Sequence, residues 1–161
     1  MSTDVYTGAD GAILLSSPDG LEGEAAQEVI DNHELVTVGR VQDVRIEVTS
    51  DIRAFHEIGQ RYATQLRAGN INVTGTIGRA MINGAMLSLL LGRASQGRPS
   101  GNWEQPAFNM TVRLANDVNG SVNTLTLHEI KLSNWNYQMP EDDFVMENAH
   151  FQALYITTED A

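Results

Sequence analysis

Histidine is the residue type in this chain with the widest range of chemistry, and there are four: His33, His56, His128 and His150. A metal site usually takes ligands at a short, regular spacing, such as two histidines on one face of a helix. No two of these histidines stand at such a spacing, and the chain has no cysteine to supply a thiolate. We therefore expect four surface or rim histidines, no metal site and no cofactor.

Three other segments match reactive motifs only in part. Ser95 lies in GRASQG, which departs from the G-x-S-x-G nucleophile motif by one position. Residues 117–120 begin like a calcium-binding loop but lack the glutamate that closes one, so a hairpin turn explains them better. The acidic residues Glu141, Asp142 and Asp143 could bind a cation, yet a solvated turn is the simpler account. With no catalytic constellation present, we predict a protein that is not an enzyme.

The composition is strongly acidic. The 161 residues carry 10 Lys and Arg against 21 Asp and Glu, a formal net charge of −11. A protein that reads nucleic acid by neutralising phosphates needs the opposite balance. The length suits a single domain, which we expect to span residues 1–161. The sequence begins without a secretory signal and has no apolar run long enough to cross a membrane, so we expect cytoplasmic synthesis and no membrane binding.

The stretch from residue 69 to residue 93 changes its period midway, and the other segments must be placed around it. Ile71, Val73 and Ile77 alternate with polar residues and predict a strand. Residues 81–91 are rich in Leu, Met and Ala, which favours a helix ended by Gly92. Because this helix is apolar nearly all the way round, we expect it to be buried against its own sheet and a neighbouring subunit. The side chains assigned to that subunit interface are Met81, Ile82, Met86, Leu89 and Leu90, with Trp103 from a later loop.

Strands are predicted on both sides of this stretch. Within residues 35–49, Val44, Ile46 and Val48 alternate with polar residues, giving one apolar face and one wet face. A further strand is predicted over residues 51–58, although its apolar residues do not alternate strictly.

The C-terminal part of the chain is also predicted to be β. Residues 108–132 form a hairpin around an Asn-Gly turn, and a shift of phase at His128 and Glu129 indicates a bulge. Residues 135–139 and 144–156 predict a last pair of strands. The fold class is therefore mainly β with one short α-helix, a sandwich or a barrel.

The remaining segments have no clear periodicity. Residues 59–70 are polar and predict a loop, and residues 94–106, rich in Gly, Ser and Pro, predict a long exposed one. The acidic segment 22–34 fits a short helix and an acidic loop equally well. Residues 1–11 are expected to form a flexible arm.

Two segments resemble the tail-tube subunits of contractile-tailed bacteriophages. In residues 66–92, LRAGNINVTGTIGRAMINGAMLSLLLG, a glycine-ended loop leads into a VTGT strand, an arginine and an apolar helix. In residues 132–156, LSNWNYQMPEDDFVMENAHFQALYI, an acidic turn precedes a strand that begins with phenylalanine. Both patterns are typical of the tail-tube family.

The resemblance implies a β-sandwich or barrel of the tail-tube fold and a structural role. Subunits of this family form hexameric rings that stack into a hollow tube, a contractile sheath wraps the tube, and the genome passes through it. The implied partners are further copies of the chain, the sheath protein, and baseplate and tail-terminator proteins, and the implied location is the virion tail. The family is related to the tubes of type VI secretion and contractile injection systems, so the inner tube of such a machine is the alternative.

An acidic wall suits a conduit for DNA. A basic lumen would hold phosphates, whereas carboxylates repel them over a screening distance of roughly 8 Å. We therefore expect DNA to pass without specific binding and propose Glu47, on the wet face of its strand, and then Glu57 as lumen-facing residues. An ordinary solvent-facing carboxylate accounts for either one equally well. A small-ligand-binding barrel is a further alternative, although few aromatic residues are present to line its cavity.

Overall fold

The computed structural model describes residues 5–34, 36, 38–39, 41–80, 83–99, 101, 103–116 and 120–160. Within these residues the chain forms seven strands, two α-helices and two short 3-10 turns. Their bounds, in chain order, are β1 Gly11–Ser16, α1 Leu21–His33, β2 Val41–Phe55, β3 Gln65–Ala80, α2 Ala85–Leu91, β4 Phe108–Asn116, β5 Ser121–Gln138, β6 Met146–Ala153 and β7 Tyr155–Asp160, with the 3-10 turns at Gly8–Asp10 and Gly92–Ser95.

The strands follow one antiparallel path in the order β1-β4-β5-β6-β3-β2, and β7 pairs with β5. The first half of β5 pairs with β4 and β7, and its second half pairs with β6, so this strand joins the two parts of the sheet. The bulge predicted at His128 and Glu129 is confirmed: these two residues stand opposite Asn109, and Glu129 has a φ of 52°. The Asn109 Oδ1 accepts a hydrogen bond from the Glu129 N–H at 3.0 Å, which fixes the bulge.

The acidic segment 22–34 is a helix, so the single helix predicted for this fold has a second beside it. Ala26, Val29 and Ile30 form the buried stripe of α1, while its glutamates lie on the exposed side. The helix packs with β1, β4 and α2 over the core, and it ends at Glu34 in a left-handed conformation. Because only a narrow stripe of this helix is apolar, its hydrophobic periodicity is too weak to separate it from a loop.

The apolar helix α2 begins at Ala85, four residues later than predicted, and Gly92 ends it as expected. The Asn83 Oδ1 accepts a hydrogen bond from the Ala85 N–H at 3.1 Å and so satisfies a free donor at the helix start. Met81 and Ile82 lie outside the described residues.

The β2–β3 hairpin has strands of 15 and 16 residues, and it corrects two predictions. The strand expected over residues 51–58 is the outer half of β2, and β3 already begins at Gln65, inside the segment predicted as a loop. Gly69 lies at a register shift, since Ser50 pairs with Ile71 whereas Ile52 pairs with Ala68. The glycine therefore marks a bulge within a strand, not a loop.

A second glycine of β3, Gly75, is expected to be intolerant of any side chain. A Cβ at this position would overlap the Arg45 carbonyl oxygen and the ring of Phe151, which is 1% exposed in the core. We expect Gly75→Ala to lower the free energy of unfolding by about 1–3 kcal/mol, the usual range for overpacking. Urea denaturation measures this, with Gly97→Ala as control, because a Cβ at Gly97 has no neighbour within 4 Å. Equal stability of the two variants would contradict this packing.

Candidate assembly surface

The outer half of the β2–β3 hairpin projects beyond the core. Every residue from 47 to 72 is exposed, whereas Val73 and Ile77 of the same strand are only 3% exposed. An isolated two-stranded hairpin in water is marginally stable. Contact with another surface would therefore stabilise a hairpin of this length.

One face of the projecting hairpin is apolar. Side chains of paired residues point to the same side of a sheet, and sides alternate along each strand. The pairs Val48–Val73, Ser50–Ile71, Ile52–Ala68 and Ala54–Leu66 thus continue the core face outward. Ile52, Leu66 and Ile71 are 61%, 70% and 67% exposed. The hydrophobic face of this sheet thus extends beyond the core of its own chain, and its outer part is an apolar patch exposed to solvent.

The other face of the hairpin carries charged side chains of both signs, including Glu47, Asp51, Arg53 and Arg67, with Phe55 near its tip. Arg53 stands directly opposite Arg67, and Glu47 stands opposite Thr74. Glu47 borders a shallow groove of about 340 Å³ that also contains Arg45 and His150. The hairpin is therefore amphipathic along its strands up to Ala54.

The structure does not bring the two proposed lumen residues together. Glu47 lies midway along β2, whereas Glu57 lies in the turn beyond Phe55, where its Oε1 accepts a hydrogen bond from the Thr64 hydroxyl at 3.3 Å. Both carboxylates are exposed. Their orientation toward a lumen stays a prediction.

The residues assigned to a subunit interface divide into two groups. Met86 and Leu89 are 2% and 0% exposed and are packed in the core of their own chain. Their assignment to a subunit interface stays a prediction. Leu90 is half-buried, and Trp103 is 40% exposed.

Trp103 lines the larger of two concavities described here, about 890 Å³, between α1 and residues 92–104. The wall from α1 includes Glu24 and Glu28, and the opposite wall includes Arg93. The loop predicted over residues 94–106 is held at its end, where the Ala107 N–H donates to the Glu22 carbonyl at 3.1 Å. This groove is open and mixed in polarity.

The main buried polar cluster connects β3, β6 and the start of α2. Arg79 and Glu147, which are cross-strand neighbours and 0% and 1% exposed, form a salt bridge through Nε and Oε1. The other Glu147 oxygen accepts from the Trp135 indole N–H at 2.9 Å, and Arg79 Nη2 donates to the Asn83 Oδ1 at 3.1 Å. Through Asn83, which also accepts from the Ala85 N–H, the cluster positions the chain before α2.

Other functional arrangements find no support in the described residues. Among them, no group of three or more His, Cys, Asp or Glu residues is placed to hold a metal ion. No helix in the same part of the chain is long and apolar enough to cross a membrane.

The fold is shared with solved tube proteins at low sequence identity. The tube-terminating cap of the anti-feeding prophage gives a TM-score of 0.68 at 8% identity, over 100% of this chain and 95% of that chain. A chain of the sheath-tube complex of an extracellular contractile injection system, PVC, gives 0.68 at 8% identity, over 99% and 94%. The SPP1 tail tube gives 0.59 at 10% identity, over 98% and 80%. No model of a known protein family and no curated protein matches the sequence.

These similarities define the fold as that of the tube proteins of contractile injection systems and phage tails. The mainly β tail-tube fold implied by the resemblance is thereby confirmed. The projecting hairpin, which sequence periodicity did not predict, is exposed over residues 47–72 of the single chain.

Proposed function

We propose that this chain is a structural, non-enzymatic subunit of a tail tube, assembled as hexameric rings that stack into a hollow conduit. The observation that carries the proposal is the uncovered apolar face of the β2–β3 hairpin, on a fold shared with solved tube proteins. A monomer with such a patch is prone to aggregate, whereas an assembly of identical copies covers it.

Covering the hairpin contributes free energy to assembly. Full burial of an exposed Leu, Ile or Val side chain contributes about 1.5–3 kcal/mol. Ile52, Leu66 and Ile71 are each more than half exposed, and a ring or stack repeats the contact in every copy. Loss of freedom on association opposes this gain, so several such residues must act together.

The proposed conduit passes DNA without binding it. The chain's net charge of −11 disfavours retention of phosphates, and Glu47 and Glu57 remain our proposed lumen residues. Arg45, close to Glu47 in the shallow groove, offsets part of that local negative charge. We expect Glu47→Lys to slow genome ejection from assembled particles at low salt, and unchanged ejection kinetics would remove Glu47 from this role.

The proposed partners are the sheath protein on the outside and baseplate and terminator proteins at the tube ends, in the tail of a virion. The inner tube of a contractile injection system is the second candidate. It is favoured by the similarity to the anti-feeding prophage cap and the PVC sheath-tube complex. The two candidates differ in what the lumen carries, not in how the tube is built.

Negative-stain electron microscopy of the purified chain, with size-exclusion chromatography at rising concentration, tests the proposal. We expect rings or tubes of uniform width. A strict monomer that takes up a hydrophobic dye in its interior would instead indicate the small-ligand-binding barrel and contradict the tube.

A further inference from the structure

We propose that the opposed arginines Arg53 and Arg67 of one copy dock against the acidic turn Glu141–Asp142–Asp143 of a second copy. This inference rests on the proposed self-assembly and adds a polar contact that orients one copy relative to the next. The inference comes from the placement of opposite charges at the two ends of one sheet.

The arginine pair places two like charges side by side in the isolated chain. Arg53 and Arg67 are exposed and directly opposite each other on the polar face of the hairpin. Side chains in this position have Cβ atoms about 4.5–5.5 Å apart, and like charges there destabilise a strand pair. Among the described residues, the salt bridges are Arg79–Glu147 and Lys131–Glu22, so neither hairpin arginine has an ion-pair partner. An anionic surface from outside the chain would relieve the repulsion.

The acidic turn between β5 and β6 carries the charge opposite to that of the arginine pair. Glu141, Asp142 and Asp143 are all exposed, and none takes part in a salt bridge within the part of the chain that the structure describes. Large apolar side chains flank the turn, since Met139 is 73% and Phe144 is 77% exposed. The hairpin presents the same combination, because Phe55, 54% exposed, lies on the face that carries Arg53. Each surface offers apolar area beside charge of one sign.

A single copy cannot bring these two surfaces together. Met146, the first residue of β6, pairs with Ala80, the last residue of β3, so the acidic turn lies at that end of the sheet. The hairpin turn lies at the opposite end of β3, a strand of 16 residues. Arg67 precedes Ala80 by 13 residues in this strand, so at about 3.3 Å per residue the arginines and the acidic turn are separated by roughly 40 Å along it. The contact must therefore join different copies.

A contact between opposite ends of identical copies is heterologous. Such contacts repeat head to tail and produce an open, polar assembly when they do not close into a ring. The paired arginines and the acidic turn thus form a head-to-tail contact, which can act around a ring or between stacked rings.

The experiment compares assembly of three variants with wild type by sedimentation at low and high salt. We expect Arg53→Glu with Arg67→Glu to raise the concentration needed for assembly at least about tenfold at low salt. The control, Arg98→Glu with Arg113→Glu, makes the same charge change at two exposed arginines elsewhere and should assemble like wild type. The third variant adds Glu141→Lys, Asp142→Lys and Asp143→Lys to the hairpin reversal and should recover assembly.

The outcomes separate this inference from the proposed function. If wild type does not assemble at all, the tube proposal fails and the docking contact fails with it. If wild type assembles but the hairpin reversal behaves like the control, or the combined variant shows no recovery, only the docking contact is overturned. Circular dichroism of each variant as a monomer shows that it is folded, so that a loss of assembly reports the contact.

Discussion

Lysine at positions 52 and 66 is expected to raise the concentration needed for assembly at least about a hundredfold and to leave the fold intact. Ile52 and Leu66 lie on the apolar face of the hairpin, 61% and 70% exposed, so neither contributes much to the core. Losing their burial between copies costs about 3 kcal/mol or more, equivalent to at least about a hundredfold in the assembly concentration. Analytical ultracentrifugation of Ile52→Lys with Leu66→Lys measures this shift.

The matched control removes the same kind of exposed side chain elsewhere. Leu21 and Leu154 are 64% and 67% exposed and lie outside the hairpin. Leu21→Lys with Leu154→Lys should assemble near the wild-type concentration, and both double variants should unfold at the wild-type temperature. Wild-type assembly by the hairpin variant would show that its apolar face is not covered by another copy.

The second large effect concerns the buried ion pair. Glu147→Gln is expected to lower the free energy of unfolding by about 3–5 kcal/mol, because it leaves the Arg79 guanidinium buried without its counter-charge. For a domain of this size, each kcal/mol corresponds to about 2–4 °C in the unfolding temperature. Replacing both residues, as Arg79→Leu with Glu147→Leu, should recover part of the loss because no unpaired charge remains. Urea denaturation of the monomer measures both.

An exposed ion pair of the same chain provides the comparison. The Lys131 Nζ lies 2.9 Å from the Glu22 Oε2, and the two side chains are 44% and 48% exposed. Pairs this accessible to solvent contribute about 0–1 kcal/mol, so Glu22→Gln should change stability only slightly. A similar loss for Glu22→Gln and Glu147→Gln would show that burial does not set the importance of the Arg79 pair.

Local features of the fold could be predicted where one physical cause acts alone. The bulge at His128 and Glu129 follows from a shift in the alternation of apolar residues, and the end of α2 follows from Gly92, whose φ is 59°. The hairpin could not be predicted from the sequence because Gly69, a bulge residue, resembles a loop signal. The turn around Gly59 adds a second loop signal close by. The periodicity of a strand broken by a bulge no longer points to one face.

The candidate interface was harder to predict than the fold. An apolar pattern shows that a side chain avoids water, but it does not show whether its own chain or another copy covers it. Met86 and Leu89 are covered by the core, while Ile52, Leu66 and Ile71 are not. Which of two apolar segments remains exposed depends on the pairing of β3 with β6, which ends at Val73 and leaves the outer hairpin alone. That register is a tertiary property.

The most direct test of the proposed tube is a cryo-electron microscopy reconstruction of the assembled chain. We expect rings of identical subunits in which Ile52, Leu66 and Ile71 pack against a neighbouring copy and lose most of their exposure. Particles in which this apolar face points into solvent, or a chain that remains monomeric at every concentration, would contradict the account.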